Sequence, residues 1–212
     1  MRNEVMAAVA AGVPPGDRVR VAVDGPSGAG KTVFADELAV ALRRSGRPVL
    51  RASVDDFHRL RARRYRRGPH SPTGYWLDAY DYPRLAGELL EPFRAGRPVR
   101  PAVHDVRTDA SRDEPAVSVP AGTVLVVDGV FLLRDELAAF WSFSVYLHVD
   151  MATRLARMVV RDGAPADPDD PRNRRYEGAW EIYTAACDPA GRAGVVVDNT
   201  DLAAPRVITG RR

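Results

Sequence analysis

The chain predicts an α/β fold, a three-layer sandwich with a mostly parallel central sheet. Three observations carry this. Short Val-rich runs alternate with segments of helical periodicity, the pattern of a parallel sheet covered by helices. Two apolar runs, Thr123–Val127 and Phe143–Val149, are nearly continuous, as strands buried on both faces should be. A glycine-rich octapeptide lies between the first strand-like run and the first helical segment, where such folds bind phosphate.

Met1–Gly12 is rich in Ala and Val, but Glu4 interrupts it and Arg2 is its only basic residue. The pattern predicts a leading helix rather than a signal peptide. Arg18–Asp24 (RVRVAVD) predicts a strand running into Gly25. Thr32–Arg44 spaces Val33, Phe34, Leu38 and Leu42 at helical intervals and stops at Gly46. Val49–Val54 predicts the second strand. Asp81–Arg94 predicts a helix, with Pro83 in its first turn and Gly96 behind its end. Pro98–Val119 is mixed, with short β-like stretches. Beyond the strands at 123–127 and 143–149, Met151–Asp162 is an amphipathic helix. Gly163–Arg175 is rich in Pro, Asp and Arg, has no period, and predicts a mobile lid loop. Tyr176–Cys187 predicts a helix and Gly194–Val197 a last strand.

The 212 residues, 45% of them hydrophobic, suffice for one domain over residues 1–212, and neither a repeat nor a linker divides them. No apolar run approaches the roughly 20 residues that cross a membrane. The single Cys187 has no intrachain partner for a disulfide, so a reducing cytoplasm is the simplest compartment. In its helical pattern Cys187 reads as a buried small hydrophobe. Homo-oligomerisation is left open. The net charge is +3, and 30 of the 31 basic residues are Arg, the exception being Lys31. Glutamine is absent, a bias typical of a GC-rich genome. A lysine kept against that bias marks a site needing a compact ammonium.

Gly25-Pro26-Ser27-Gly28-Ala29-Gly30-Lys31-Thr32 matches G-x-x-x-x-G-K-[ST] in the required strand–helix context. This is a P-loop, and it specifies the fold as that of a P-loop NTPase. Its glycines let backbone N–H groups turn inward around phosphate oxygens, and the next helix, with Val33 in its first turn, points its positive end at them. Lys31 is expected to reach the β- and γ-phosphates of ATP, and the Thr32 hydroxyl to ligate Mg²⁺. Asp128 closes the apolar run VLVVDG, where a second carboxylate for the metal belongs; a turn-forming Asp is the plainer alternative.

P-loops serve kinases, GTPase switches and mechanical ATPases alike. A guanine-reading N-K-x-D motif is excluded, because the only lysine is already in the loop. The second strand ends in Ser53-Val54-Asp55-Asp56-Phe57-His58. Carboxylates there face the ligand crevice, where one can take an acceptor hydroxyl's proton. Capping or solvated aspartates are the alternative, and His58 reads equally as substrate-lining or as loop.

Taken in order, the P-loop, the DDF stretch, the YDYP segment, the VVDG strand, the arginine-rich helix and the VVDN stretch resemble the uridine–cytidine kinase family of P-loop kinases. The resemblance spans about residues 18 to 205. It implies an ATP–Mg²⁺-dependent kinase acting on a nucleoside 5′-hydroxyl. Asp55 matches its catalytic aspartate and Asp81 the carboxylate that holds the ribose. Asp128 falls where the family has a Glu near Mg²⁺. Thr153–Asp162 looks like the lid helix, where Arg157 and Arg161, at i, i+4 spacing, share a face and can converge on the transferring phosphoryl group. Arg172, Arg174 and Arg175 follow as further lid candidates. Asp198-Asn199 resembles the adenine-bordering loop, so Asn199 joins Gly25, Ser27, Gly28, Ala29, Gly30, Lys31, Thr32 and Val33 as an expected nucleotide contact.

One segment departs from the family. Its pyrimidine-reading stretch has aromatics flanking an Asp; here His104 and Val106 flank Asp105, which removes stacking surface. The acceptor is then either a nucleoside or a non-nucleoside alcohol such as a pantothenate-like or antibiotic hydroxyl. A regulatory module that hydrolyses ATP slowly is a third reading. Six arginines crowd into Arg59–Arg67 beside Tyr65. A solvated loop, an anionic-acceptor contact and a nucleic-acid patch all fit this run. The balancing acids and the lack of any nucleic-acid-binding motif argue against the last.

Overall fold

The structure, a computed structural model, describes residues 2–210. Its central sheet comprises β1 (Arg20–Asp24), β2 (Val49–Ser53), β5 (Val124–Gly129), β6 (Phe143–His148), β7 (Val195–Asp198) and β8 (Arg206–Gly210). The spatial order is β2–β5–β1–β6–β7–β8. All neighbours run parallel except β8, which lies antiparallel on β7. The predicted α/β class holds. The pattern stops at β7 and misses β8, an edge strand with Val207 and Ile208 exposed and hence little hydrophobic signal. A separate two-stranded ladder, β3 (His104–Asp105) with β4 (Ala110–Ser111), supplies the short β-like stretches.

Side chains of a strand alternate between faces, and β1 and β5 show it residue by residue. Val21, Val23, Val124 and Val126 pack with Phe34, Leu38 and Leu42 of helix 31–44 and Met6 and Val9 of helix 2–12. Ala22, Leu125 and Val127 turn the other way, toward Phe57, Leu85, Leu89, Phe93 and Tyr183. Both faces are dry, which is why these strands read as unbroken apolar runs. The parallel register aligns Asp24 with Gly129 and Ser53 with Asp128, so three strands end at one level beneath one crevice.

Three helical details differ from expectation. The helical stretch 82–94 contains a wide turn at Leu85–Leu90, just before Pro92. Proline has no N–H to donate, and the Glu88 carbonyl accepts from Arg100 N at 2.9 Å instead. The loop after Asp162 is shorter than 163–175, because a helix spans Pro171–Cys187. Asp170 caps it by accepting from Arg172 N at 2.9 Å, and Pro171 takes the position where a missing N–H costs nothing. Two short helices, Arg61–Arg64 and Pro72–Asp78, occupy a stretch where spacing predicts none. Among the described residues no helix is long and apolar enough to cross a membrane.

Candidate active site

The loop from Gly25 to Gly30 leaves β1 and enters helix 31–44. Gly28 and Gly30 have φ of 79° and 83°, the left-handed region. A Cβ on Gly28 would stand 2.7 Å from the Arg154 carbonyl oxygen, so this turn excludes any side chain. Lys31 folds over the loop, donating to the Pro26 carbonyl at 2.9 Å. Burial pushes its pKa down, and Asp55, Asp24 and Asp128 oppose that shift. The Thr32 hydroxyl donates to Asp128 Oδ2 at 2.7 Å, while Arg51 holds Asp128 Oδ1 at 2.7 Å. Ser27 and Val33 complete the rim on this side.

A cavity of about 710 Å³ opens from this loop. Asp55 lines it too, on the turn after β2, and accepts from the Tyr80 hydroxyl at 3.0 Å. Asp56 points away toward Arg112, 3.9 Å distant, and burial raises its pKa. His58 lines the cavity, its ring 4.4 Å from that of Tyr80 and its Nδ1 2.8 Å from the Asp55 carbonyl oxygen. Burial lowers its pKa. Arg161 faces the same space while paired with Asp162 at 2.6 Å.

Other candidates fall elsewhere. Arg157 does not converge with Arg161, although they share a helix face. One turn nearer the P-loop, it donates to the carbonyls of Gly28 at 3.3 Å, Asn199 at 3.0 Å and Thr200 at 2.7 Å. Asn199 is fully buried and donates to the Ala29 carbonyl at 2.8 Å, so it props the loop from behind. Gly25 likewise packs behind it, where a Cβ would come within 2.9 Å of the Leu147 carbonyl. Asp81 caps helix 82–94 by accepting from Arg84 N at 3.2 Å and is not a cavity wall. Asp105 stays in its own turn, accepting from Arg107 N at 2.8 Å. His104 is buried, its Nε2 3.5 Å from Asp109, while Val106 does line the cavity. Of the later arginines, Arg172 and Arg175 line the cavity, whereas Arg174 reaches outward.

The arginine run is not simply solvated. Arg66 and Arg67 both pair with the buried Asp78, at 2.6 and 2.9 Å. Arg64 is itself buried.

Sequence reasoning overlooks Asp24, the only acid in β1 and wholly buried at its end. It accepts from Gly25 N at 2.6 Å, from Leu133 N at 3.1 Å and from the Tyr183 hydroxyl at 2.5 Å. Burial outweighs these bonds and raises its pKa from 3.8 to about 6. The folded state therefore favours the protonated form. That contribution is present below about pH 4 and is lost as pH rises through about 6. Two units correspond to about 3 kcal/mol. Asp24→Asn stays neutral, and Leu133 N retains the Tyr183 oxygen as acceptor at 2.9 Å. Urea unfolding of both proteins from pH 4 to 7 should show the wild type losing stability relative to the variant; parallel curves would refute the assignment.

A glycine-rich loop after a parallel strand, a hydroxyl–carboxylate pair beside it and an acid lining the same cavity are the parts of a P-loop nucleotide site. The family model for the phosphoribulokinase / uridine kinase family matches residues 20–166, and the chain belongs to that family. It is similar to a uridine kinase of Brevibacillus brevis, at 26% identity over 153 residues, 69% of this chain and 67% of the relative. Inorganic pyrophosphatase TTM2 of Arabidopsis thaliana is 24% identical over 181 residues, 81% of this chain. The chain spans only about a quarter of that plant protein's length, 24%. Among solved structures, a protein described as a possible uridine kinase from Bacillus stearothermophilus superimposes with a TM-score of 0.74 at 26% identity. That match covers 92% of this chain and 96% of the other.

Proposed function

We propose that this kinase transfers the γ-phosphate of ATP, taken as its Mg²⁺ complex, to a hydroxyl of a small molecule, with Asp55 as the base. The observation that carries this is Asp55 sharing one cavity with the P-loop while Asp56 does not. In this reading Asp55 accepts the hydroxyl's proton and the acceptor oxygen bonds to the γ-phosphorus. The bond to the β–γ bridging oxygen breaks, leaving ADP. Tyr80 aims the carboxylate. Thr32 and Asp128 would hold the metal, which when bound neutralises charge on the β- and γ-phosphates. Their 2.7 Å contact fits that task. Among the described residues no group of three or more His, Cys, Asp or Glu could hold a metal without phosphate and water.

The family and its uridine kinase relatives support a nucleoside 5′-hydroxyl, uridine- or cytidine-like, as acceptor. One observation favours a non-nucleoside alcohol instead. The segment expected to read the base presents Val106 to the cavity and turns His104 away from it. Lost stacking corresponds to about 1–3 kcal/mol per base on comparable platforms. Uridine and cytidine should then show KM values at least tenfold above those of a specialised kinase. Steady-state ADP release with uridine, cytidine, other nucleosides and non-nucleoside alcohols tests this. A micromolar KM for uridine alone would restore the nucleoside reading. Tight ATP binding without turnover of any acceptor would favour a regulatory module.

A further inference from the structure

The cavity that Asp55 lines also holds two guanidinium groups that the fold buries without their full complement of partners. Arg175, in the second turn of helix 171–187, is 8% exposed and pairs with no carboxylate among the described residues. Its Nε is buried and makes no hydrogen bond. Its surroundings are aromatic. The guanidinium carbon lies 4.9 Å from the ring centres of both Tyr65 and Tyr75, and 5.6 Å from that of Tyr176. Gly178 permits this arrangement. A Cβ there would stand 2.8 Å from Pro72 Cγ, so helices 72–78 and 171–187 approach closely and Tyr75 meets Arg175.

Arg64 is 5% exposed and donates to Asp109 Oδ1 at 3.0 Å, yet its Nε too is buried without a partner. Its guanidinium lies 5.5 Å from the Tyr65 ring centre, so two cations share one aromatic ring. Buried charges are ordinarily paired. Ring faces replace only part of what water gave these groups, and Asp109 answers one of the two charges. A guanidinium fork with free donors is matched by an oxyanion, which supplies both charge and lone pairs.

The pair belongs to the acceptor's half of the cavity. Tyr75 and Tyr80 hydroxyls lie 3.2 Å apart, and Tyr80 donates to Asp55, which ties the aromatic cage to the candidate base. The P-loop side has other arginines, with Arg157 on the Gly28 carbonyl and Arg161 coupled electrostatically to Lys31.

We propose that the acceptor carries its own oxyanion, a phosphate ester or a carboxylate, held by Arg64 and Arg175 against Tyr65. This rests on the kinase reading of the same cavity and names the substrate class. A neutral nucleoside leaves both guanidinium groups unanswered.

The test keeps the P-loop filled with Mg²⁺ and a non-hydrolysable ATP analogue. At constant ionic strength, the melting temperature is followed while inorganic phosphate, glycerate or glycerol is added. Saturable stabilisation by phosphate or glycerate, and none by glycerol, is expected. A response to phosphate alone assigns a phosphate ester, and one to glycerate alone a carboxylate. Arg175→Met should weaken the responding anion at least tenfold, with Arg175→Lys intermediate because a point charge replaces the fork. If the Met variant fails to melt cooperatively, the Lys variant and Arg64→Lys provide the comparison. No saturable response to either anion, or an unchanged one in the substituted proteins, overturns the proposal. A protein that ignores the ATP analogue fails the kinase reading and this one with it. One that binds the analogue but no anion fails only here.

Discussion

Asp55→Asn lowers kcat by about 10²- to 10⁴-fold, the usual contribution of a positioned general base, and leaves ATP binding nearly intact. The amide keeps the shape and can still accept the Tyr80 hydroxyl through its oxygen, so the local fold survives. What it loses is the capacity to take a proton. Asp56→Asn is the internal control. That side chain lies toward Arg112, outside the cavity, and its replacement should cost far less. Single-turnover phosphoryl transfer, with nucleotide affinity measured separately by thermal shift, distinguishes the two. A larger effect at Asp56 would place the base on the neighbouring residue and reverse the facing of the turn after β2. Equal, small effects would remove general-base catalysis from the mechanism.

Lys31→Ala abolishes or strongly weakens the stabilisation by ATP–Mg²⁺. A ligand that binds only the folded state stabilises it by RT ln(1 + [L]/Kd), so a hundredfold excess over Kd contributes about 2.7 kcal/mol. Lys31 is the only lysine, and its ammonium rests on the Pro26 carbonyl at the centre of the loop. No neighbouring lysine is available to take its place. Arg161 is committed to Asp162, and its planar fork does not reproduce a compact ammonium. Differential scanning fluorimetry across an ATP–Mg²⁺ titration measures the shift. An undiminished shift in the variant would take the P-loop out of nucleotide binding altogether.

The features legible in the sequence are those written in consecutive residues. The octapeptide Gly25–Thr32 carries its strand, turn and helix start within a few positions, and the unbroken run Val124–Val127 announces a strand buried on both sides. Lys31 and Thr32, singled out by composition and motif, open helix 31–44. Asp128 lies at the end of β5, and Asp55, picked from its pair by the family resemblance, follows β2; the parallel order brings these ends to one level. The rest depends on partners far away in the chain. Asp24 meets Tyr183 across 159 positions, and nothing near Asp24 marks that tyrosine. Asp81 and Asp105 have local N–H groups to accept from, and these claim them first. Arg157 and Arg161 lie on one face as periodicity requires, yet a single turn separates loop carbonyls from open cavity. A run of like charges conceals which members are buried. Asp78 and Asp109 sort Arg64, Arg66 and Arg67, and both acids lie outside the run.

Arg154 and Glu177 form a buried two-pronged ion pair, at 2.6 and 2.9 Å, between helices 151–162 and 171–187. Parting such a pair leaves an uncompensated charge in the interior, at a cost of about 3–5 kcal/mol. The two helices are thereby riveted at the root, and any swing is confined to the segment between them, 163–170, and the helix ends that flank it. Arg161 and Arg172 ride on those ends. Arg175, one turn deeper and wedged among three tyrosines, stays with the frame. The cavity's arginines are thus divided between two helix ends that flank a short loop and a frame that the ion pair fixes.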